Sequence, residues 1–299
     1  MQHQLLEYLN QRTYENWLIG YKNHQLNQLT QEFFEKFTRL SQTKTSVKIF
    51  LLEEDPLRFL AVLLAAVAAN CPVFLCNPQW KKKEWEQVFN IVQPDLIVGQ
   101  EKSTDGHFLR QMTNLCNHSS SSVSICRYKI PNQIMIPTGG SSGTIRFALH
   151  TLNTLTASVR GFHQYFCRKT INSFCVLPLY HVSGLMQFLR SFLTGGRLAI
   201  FPYKALKENL KFLDPRDFFI SLVPTQLQFL LESDPTLLSH FCTVLLGGAP
   251  AWDSLLETAR KHNIRLALTY GMTETAAQVV TLKPENFLAG SSSSGQVLP

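Results

Sequence analysis

Short, nearly continuous apolar runs recur along this chain, and a stretch with helical spacing separates most of them from the next. Residues 47–52, 73–76, 95–98, 174–177, 198–201, 218–223, 243–246 and 265–268 are too short for helices and too apolar to face water on alternate sides. Each therefore reads as a strand buried on both faces. Between them, residues 56–69, 83–92, 153–166, 184–193, 206–213, 225–231 and 254–262 place apolar side chains at helical intervals, and 5–18 and 26–40 add two amphipathic helices at the start. The pattern predicts an α/β fold with mainly parallel sheets covered by helices. Ligands of such sheets sit beyond the carboxyl ends of strands, so the loops after residues 137, 177, 223, 246 and 268 are predicted to converge.

The loop after 137 carries the strongest chemical signal. Thr138, Gly139, Gly140, Ser141, Ser142, Gly143 and Thr144 are followed by Ile145 and Arg146. Glycines free the backbone to turn several N–H groups toward one point, the hydroxyls add donors, and Arg146 adds a permanent charge. Such a loop suits a polyphosphate, although a plain Ser/Gly surface loop has the same composition. Neither standard glycine code fits: no Gly-Lys-Ser/Thr follows at the P-loop interval, and no GxGxxG can be written across it.

The other strand ends carry unusual residues too. Pro178, Tyr180, His181 and Gly184 place an imidazole where a loop enters a helix, a position equally open to a structural histidine. Gly247, Gly248, Ala249 and Pro250 form a turn poor in side chains, able to admit a flat ring or simply to reverse the chain. Tyr270, Gly271, Met272, Thr273 and Glu274 bring together an aromatic surface, a hydroxyl and a carboxylate able to face Mg²⁺. Thr273 and Glu274 would also serve as an ordinary helix start.

Composition narrows the partners. A chain of 299 residues with 45% apolar and 16% charged residues can bury a large α/β core. The net charge of +7 is dispersed apart from Lys81, Lys82 and Lys83, so it suits anionic small ligands and gives no nucleic-acid stripe. Seven cysteines without a CxxC pair read as reduced thiols of a cytoplasmic protein. The start lacks a secretory signal, and the apolar stretch 59–69 is far shorter than the ~20 residues that span a bilayer.

Together these loops resemble the adenylate-forming superfamily of acyl-CoA synthetases, peptide-synthetase adenylation domains and luciferases. The motifs occur in family order: 138–146 is similar to the phosphate loop TSGTTGxPK, 178–184 to PxxH, 247–250 to GG[AE], 270–274 to YGxTE, and 290–299 to the start of GxxGxPLPG. Within the superfamily, 137–147, His150 with Thr151, and 177–186 with Arg190 resemble the o-succinylbenzoate–CoA ligases of menaquinone and phylloquinone synthesis. The resemblance implies the large N-terminal domain of such an enzyme, with two doubly wound, mostly parallel sheets packed together. It implies a first subdomain over 1–130, a second over 131–289 and the start of a third at 290–299, with a joint at the serine run 119–122.

It also implies ATP, Mg²⁺ and CoA as reactants and cofactor, a small acid as substrate, and room for a homodimer. His181 and Arg146 would be catalytic. Thr138, Gly139, Gly140, Ser141, Ser142, Gly143 and Thr144 would take the β- and γ-phosphates, Thr273 the α-phosphate and Glu274 the Mg²⁺. Gly247, Gly248, Ala249, Pro250, Tyr270 and Gly271 would hold the nucleotide, and His181, Arg190, Thr225 and Gly271 the acid. Arg190 would pair with the second carboxylate of a dicarboxylic substrate, or else sit on a solvated helix face. Arg146 stands where the family usually has Lys, and Ile145 where it usually has Pro. The ribose aspartate, hinge and small mobile C-terminal domain with its lysine would lie beyond Pro299, so weak nucleotide binding and little ligase activity are expected. A ligase for another aryl or fatty acid, or a non-catalytic nucleotide- or acyl-binding module, would carry many of the same motifs.

Overall fold

The computed structural model describes residues 2–44, 46–99, 132–139, 143–210 and 213–299. Up to residue 99 the chain forms α1 (Gln2–Gln11), β1 (Leu18–Ile19), α2 (Asn23–Thr43), β2 (Ile49–Leu52), α3 (Pro56–Ala68), β3 (Val73–Leu75), α4 (Lys82–Ile91) and β4 (Leu96–Gly99). From 132 it continues with β5 (Gln133–Gly139), β6 (Ile145–Thr151), α5 (Leu152–Phe166), β7 (Asn172–Cys175), α6 (Val182–Leu193) and β8 (Leu198–Ile200). The remainder is α7 (Leu206–Asn209), β9 (Phe218–Leu222), α8 (Pro224–Ser233), β10 (Thr243–Leu246), α9 (Asp253–Lys261), β11 (Leu266–Met272), β12 (Ala277–Thr281), α10 (Pro284–Leu288) and β13 (Gln296–Val297).

Two compact units result. One comprises Met1–Glu15 with Tyr21–Leu152, the other Asn16–Gly20 with Asn153–Pro299. The first holds a five-stranded sheet in the order β4-β2-β3-β5-β6, parallel except for β6. Helix α3 explains why this unit is stable: Pro56 stands in its first turn and Asp55 accepts the Arg58 N–H at 2.8 Å, a cap that contributes about 1 kcal/mol. All but its first and third residues are buried. The hairpin that bears the glycine loop belongs to this first unit, because β5 pairs in parallel with β3, Ile134 opposite Val73. The joint expected at 119–122 lies outside the described residues.

The second unit holds an eight-stranded sheet in the order β1-β8-β7-β9-β10-β11-β12-β13, parallel from β1 to β11 and antiparallel thereafter. One face of it packs Phe174, Ile220, Val244 and Leu266 against Leu227, Leu255 and Phe287 from the helices. Phe162, Phe219 and Ala267 build the core on the opposite face.

Two local expectations are corrected, and one alternative is narrowed. The helix expected over 5–18 ends at Gln11, passes through one 3-10 turn (Arg12–Tyr14), and gives way to strand β1. Trp17 and Leu18 drive the change: Trp17 packs on Phe192 with ring centres 5.5 Å apart, and Leu18 pairs with Leu198, so burial in another core outweighs helix propensity. The helix expected over 206–213 is described over a single turn, α7, with residues 211 and 212 outside the description. The alternative of an ordinary helix start at Thr273 shrinks to one 3-10 turn. β11 runs on through Tyr270 to Met272, and Thr273–Thr275 is the 3-10 turn of a hairpin whose return strand is β12.

Candidate functional site

Four neighbouring strands of the second unit, β7, β9, β10 and β11, are mutually parallel, so their carboxyl ends share one edge. That edge carries the loops after 175, 222 and 246 and the continuation of β11 at 269–274. Hydrogen bonds tie them together: Gly247 N–H donates to the Leu222 carbonyl at 3.2 Å, and Thr269 Oγ1 donates to the Leu246 carbonyl at 3.0 Å. Thr225, in the first turn of α8, stands exposed above this edge, with the helix start held by Gln226 Oε1 accepting the Val223 N–H at 3.1 Å. The turn Gly247, Gly248, Ala249 and Pro250 is largely open to solvent. The sheet therefore brings His181, Thr225, the 247–250 turn and 270–274 to one side of the second unit.

His181 is the N-cap of α6, and its carbonyl accepts the Leu185 N–H at 2.9 Å. Its ring centre lies 4.6 Å from that of Tyr180. More than a third of the residue is open to solvent, yet protein crowds the imidazole enough that burial lowers its pKa from 6.5. Screening by that solvent discounts the size of the shift, while its direction keeps the ring neutral at neutral pH. The loop folds this way because Gly184 sits against the Pro178 carbonyl, where any Cβ would collide.

Further along α6, Arg190 is buried, 3% exposed, with its guanidinium over the Phe162 ring. Nε and Nη2 have no hydrogen-bond partner, and neither has the buried Oε1 of Gln187. Burial pulls the Arg190 pKa from 12.5 to about 9, so it remains charged at neutral pH. An unpaired buried cation is costly, and an entering carboxylate would remove that cost. A solvated helix face for Arg190 is thus excluded by its burial.

The end of β11 presents Tyr270, 60% exposed, and the turn after it presents Thr273 and Glu274. The Glu274 carboxylate is exposed and makes no hydrogen bond or ion pair with the described residues. Among those residues no group of three or more His, Cys, Asp or Glu could hold a metal ion. A lone free carboxylate fits Mg²⁺ that takes its other ligands from phosphates and water. Gly271 lies against the Ala277 carbonyl, which a Cβ would strike.

In the first unit, Thr138 pairs with Arg146 and Gly139 with Ile145 across the β5–β6 hairpin. Arg146 is exposed and has no ion-pair partner among the described residues. Gly140, Ser141 and Ser142 lie outside the described residues. The far limb of the loop is held by a residue that sequence reasoning passed over. The Gln87 amide on α4 accepts the Ile145 N–H at 2.9 Å and donates to the Gly143 carbonyl at 3.4 Å, on either side of Thr144. Ser158 and Thr275 were also passed over, although both hydrogen-bond to the backbone of the turn that follows Glu274. Of these, only Thr275 had a sequence signal, its place beside Glu274. No helix among the described residues is long and apolar enough to cross a membrane.

The family model of AMP-binding enzymes matches residues 25–299. A 2-succinylbenzoate–CoA ligase of Listeria innocua is 27% identical over 264 residues, 85% of this chain and 56% of that protein. The enzyme of the same description from Oceanobacillus iheyensis is 38% identical over 125 residues, 41% of this chain and 26% of that one. The Bacillus subtilis o-succinylbenzoate coenzyme A synthetase in complex with AMP has the same fold, at TM-score 0.79 and 20% identity over 98% of this chain and 64% of its own. An Escherichia coli counterpart aligns with TM-score 0.71 at 22% identity, over 99% of this chain and 64% of its own. In each of these comparisons the chain spans less than two thirds of its relative's length.

Proposed function

This chain belongs to the AMP-binding enzyme family, and from that premise we propose that it carries the nucleotide and acid sites of an ATP-dependent acid–CoA ligase acting on an aromatic dicarboxylate such as 2-succinylbenzoate. The single observation that carries the choice of acid is Arg190: a buried cation with two unpartnered nitrogens, on the helix that His181 caps, roughly 13 Å along it at 1.5 Å per residue. Support for the reaction comes from the exposed strand edge that holds His181, Tyr270 and Glu274, and from ligase relatives at modest identity.

In the proposed reaction, a carboxylate oxygen of the acid attacks the α-phosphorus of ATP. The bond to the bridging oxygen breaks and pyrophosphate leaves with its electron pair, giving an acyl-adenylate. The CoA sulfur then attacks the acyl carbon, AMP departs, and the thiol proton is lost to solvent. Such chemistry needs in-line positioning and charge neutralisation more than a protein nucleophile. Neutral His181 orients the attacking carboxylate without adding a charge. Tyr270 offers its face to adenine beside the bare 247–250 turn, and Thr273 donates to the α-phosphate. Thr225 and Gly271 border the acid. In the first unit, Thr138, Gly139, Gly143, Thr144 and Arg146 are assigned to the β- and γ-phosphates, as are Gly140, Ser141 and Ser142. Arg146 does so as a planar fork where relatives of this kind usually place an ammonium. Magnesium, when bound, supplies positive charge to the phosphates, and Glu274 is the residue that would face it.

Acid-dependent ATP–pyrophosphate exchange, run over a panel of mono- and dicarboxylic acids, tests the proposal. In a protein of its relatives' full length that contains this chain, exchange is expected with the aromatic dicarboxylate, and to be lost in His181→Ala and Glu274→Ala. A preference for monocarboxylates would overturn the role of Arg190. MgATP and acid binding without exchange would leave a binding module instead of a ligase.

A further inference from the structure

The hairpin that presents Thr273 and Glu274 is closed by two consecutive alanines in a conformation that suits glycine. Ala276 has φ 56° and ψ 49°, and Ala277 has φ 78°. A side-chain-bearing residue at positive φ is disfavoured, and two in succession persist only where surrounding contacts over-determine them. Those contacts are present. Thr275 Oγ1 accepts the Met272 N–H at 3.0 Å, and its own proton faces the Ala277 carbonyl at 2.7 Å, with the Met272 carbonyl at 3.0 Å. From α5, Ser158 Oγ donates to the Ala276 carbonyl at 2.8 Å, while the Ala276 N–H donates to the Thr273 carbonyl at 3.1 Å.

The strand register shifts just before this turn. Tyr270 lies opposite Val280 but Gly271 opposite Gln278, a slip that re-aims the residues beyond it. Gly271 closes on the Ala277 carbonyl, so the turn cannot relax toward β11. Strand slip, left-handed pair and hydroxyl clamps all act on the few residues that carry Thr273 and Glu274.

We propose that Thr275 and Ser158 are positioning residues: by holding Ala276 and Ala277 left-handed they fix the bearing of Thr273 on the α-phosphate and of Glu274 toward magnesium. The proposal rests on the nucleotide reading above and adds two residues to it.

Calorimetric titration of the 299-residue chain with MgATP tests it, alongside amide exchange of Ala276 and Ala277 measured by NMR. Thr275→Val is expected to raise the Kd about tenfold, near the worth of one hydrogen bond at the upper end of the usual range, and to speed exchange at both amides. Thr275→Ser keeps the hydroxyl and should stay within about twofold of the parent. Adding Ala276→Gly to Thr275→Val should recover most of the lost affinity, because glycine adopts the left-handed conformation without needing the clamp. Ser158→Ala, which leaves the turn's own hydrogen bonds intact, gives a milder version should Thr275→Val fold poorly. MgATP binding by Thr275→Val equal to the parent's, or equal damage from Val and Ser, would overturn this proposal alone. No MgATP binding by the parent chain would overturn the nucleotide reading and this proposal with it.

Discussion

The guanidinium carbon of Arg190 lies 3.9 Å from the centre of the Phe162 ring, and two of its nitrogens are buried without partners. A ring face offsets part of the desolvation cost of a cation but satisfies none of its N–H groups in the guanidinium plane. Replacing Arg190 with Met should therefore raise the unfolding midpoint in the absence of ligand, with a gain of about 1 kcal/mol or more in unfolding free energy, because an uncompensated buried charge is removed. The same variant should lose the parent's preference for a dicarboxylic acid. Thermal melts with and without the acid read both effects, and a destabilised Arg190→Met would show that the cation is already paid for within the fold.

Gln87 reaches the glycine loop with both ends of its amide. Gln87→Leu should cost about 1–2 kcal/mol of stability, as two hydrogen bonds are lost, one of them long, while Leu keeps the volume. Affinity for MgATP should fall more than stability does, because the limb bearing Gly143 and Thr144 is released. Gln87→Glu, which retains the acceptor for the Ile145 N–H, should fall between. Equal nucleotide affinity in all three proteins would remove Gln87 from the site.

Gly184 is buried against the backbone of Pro178. Ala at this position would push α6 away from the loop that carries His181, and overpacking of this kind costs about 1–3 kcal/mol. Urea unfolding should show a lower midpoint with an unchanged slope. A normal midpoint would mean that the loop yields at little cost.

The imidazole of His181 should titrate below 6.5, as NMR of its ring protons would report. Since its folded pKa is depressed, the unfolded chain binds more protons between the folded pKa and 6.5. Stability therefore declines as pH falls through that interval and is level above it. His181→Asn should flatten the contribution. A measured pKa above 6.5 would indicate a neighbouring negative charge and reverse the sign.

Much of the fold was legible because strands buried on both faces leave an unbroken apolar signature, as at 243–246, where every residue is buried. The chemistry-bearing loops were legible for a related reason: after 246 and 268, residue types useless to a core follow directly on a strand. Trp17 and Leu18 were misread because an amphipathic period cannot say which core will claim it. The return strand after Met272 was not legible, because Thr and Glu serve equally as a helix start and in a tight turn. Gln87 was invisible, since its two partners lie far downstream and no local pattern records a side-chain amide reaching across a sheet. Arg190 was half legible: its type suggested a carboxylate partner, and its burial, which the sequence did not reveal, excludes an ordinary surface charge.

Strand β1, two residues long, carries a consequence for biosynthesis. Leu18 leaves the ribosome early, but its partner Leu198, and the aromatic slot of Phe188 and Phe192 that receives Trp17, are translated much later. The nascent amino-terminal half must keep that segment unclaimed, and a gene cut after residue 152 would yield a carboxyl-terminal product with a raw β8 border and a vacant indole berth. Any attempt to produce the second unit by itself should therefore splice residues 16–20 back onto it.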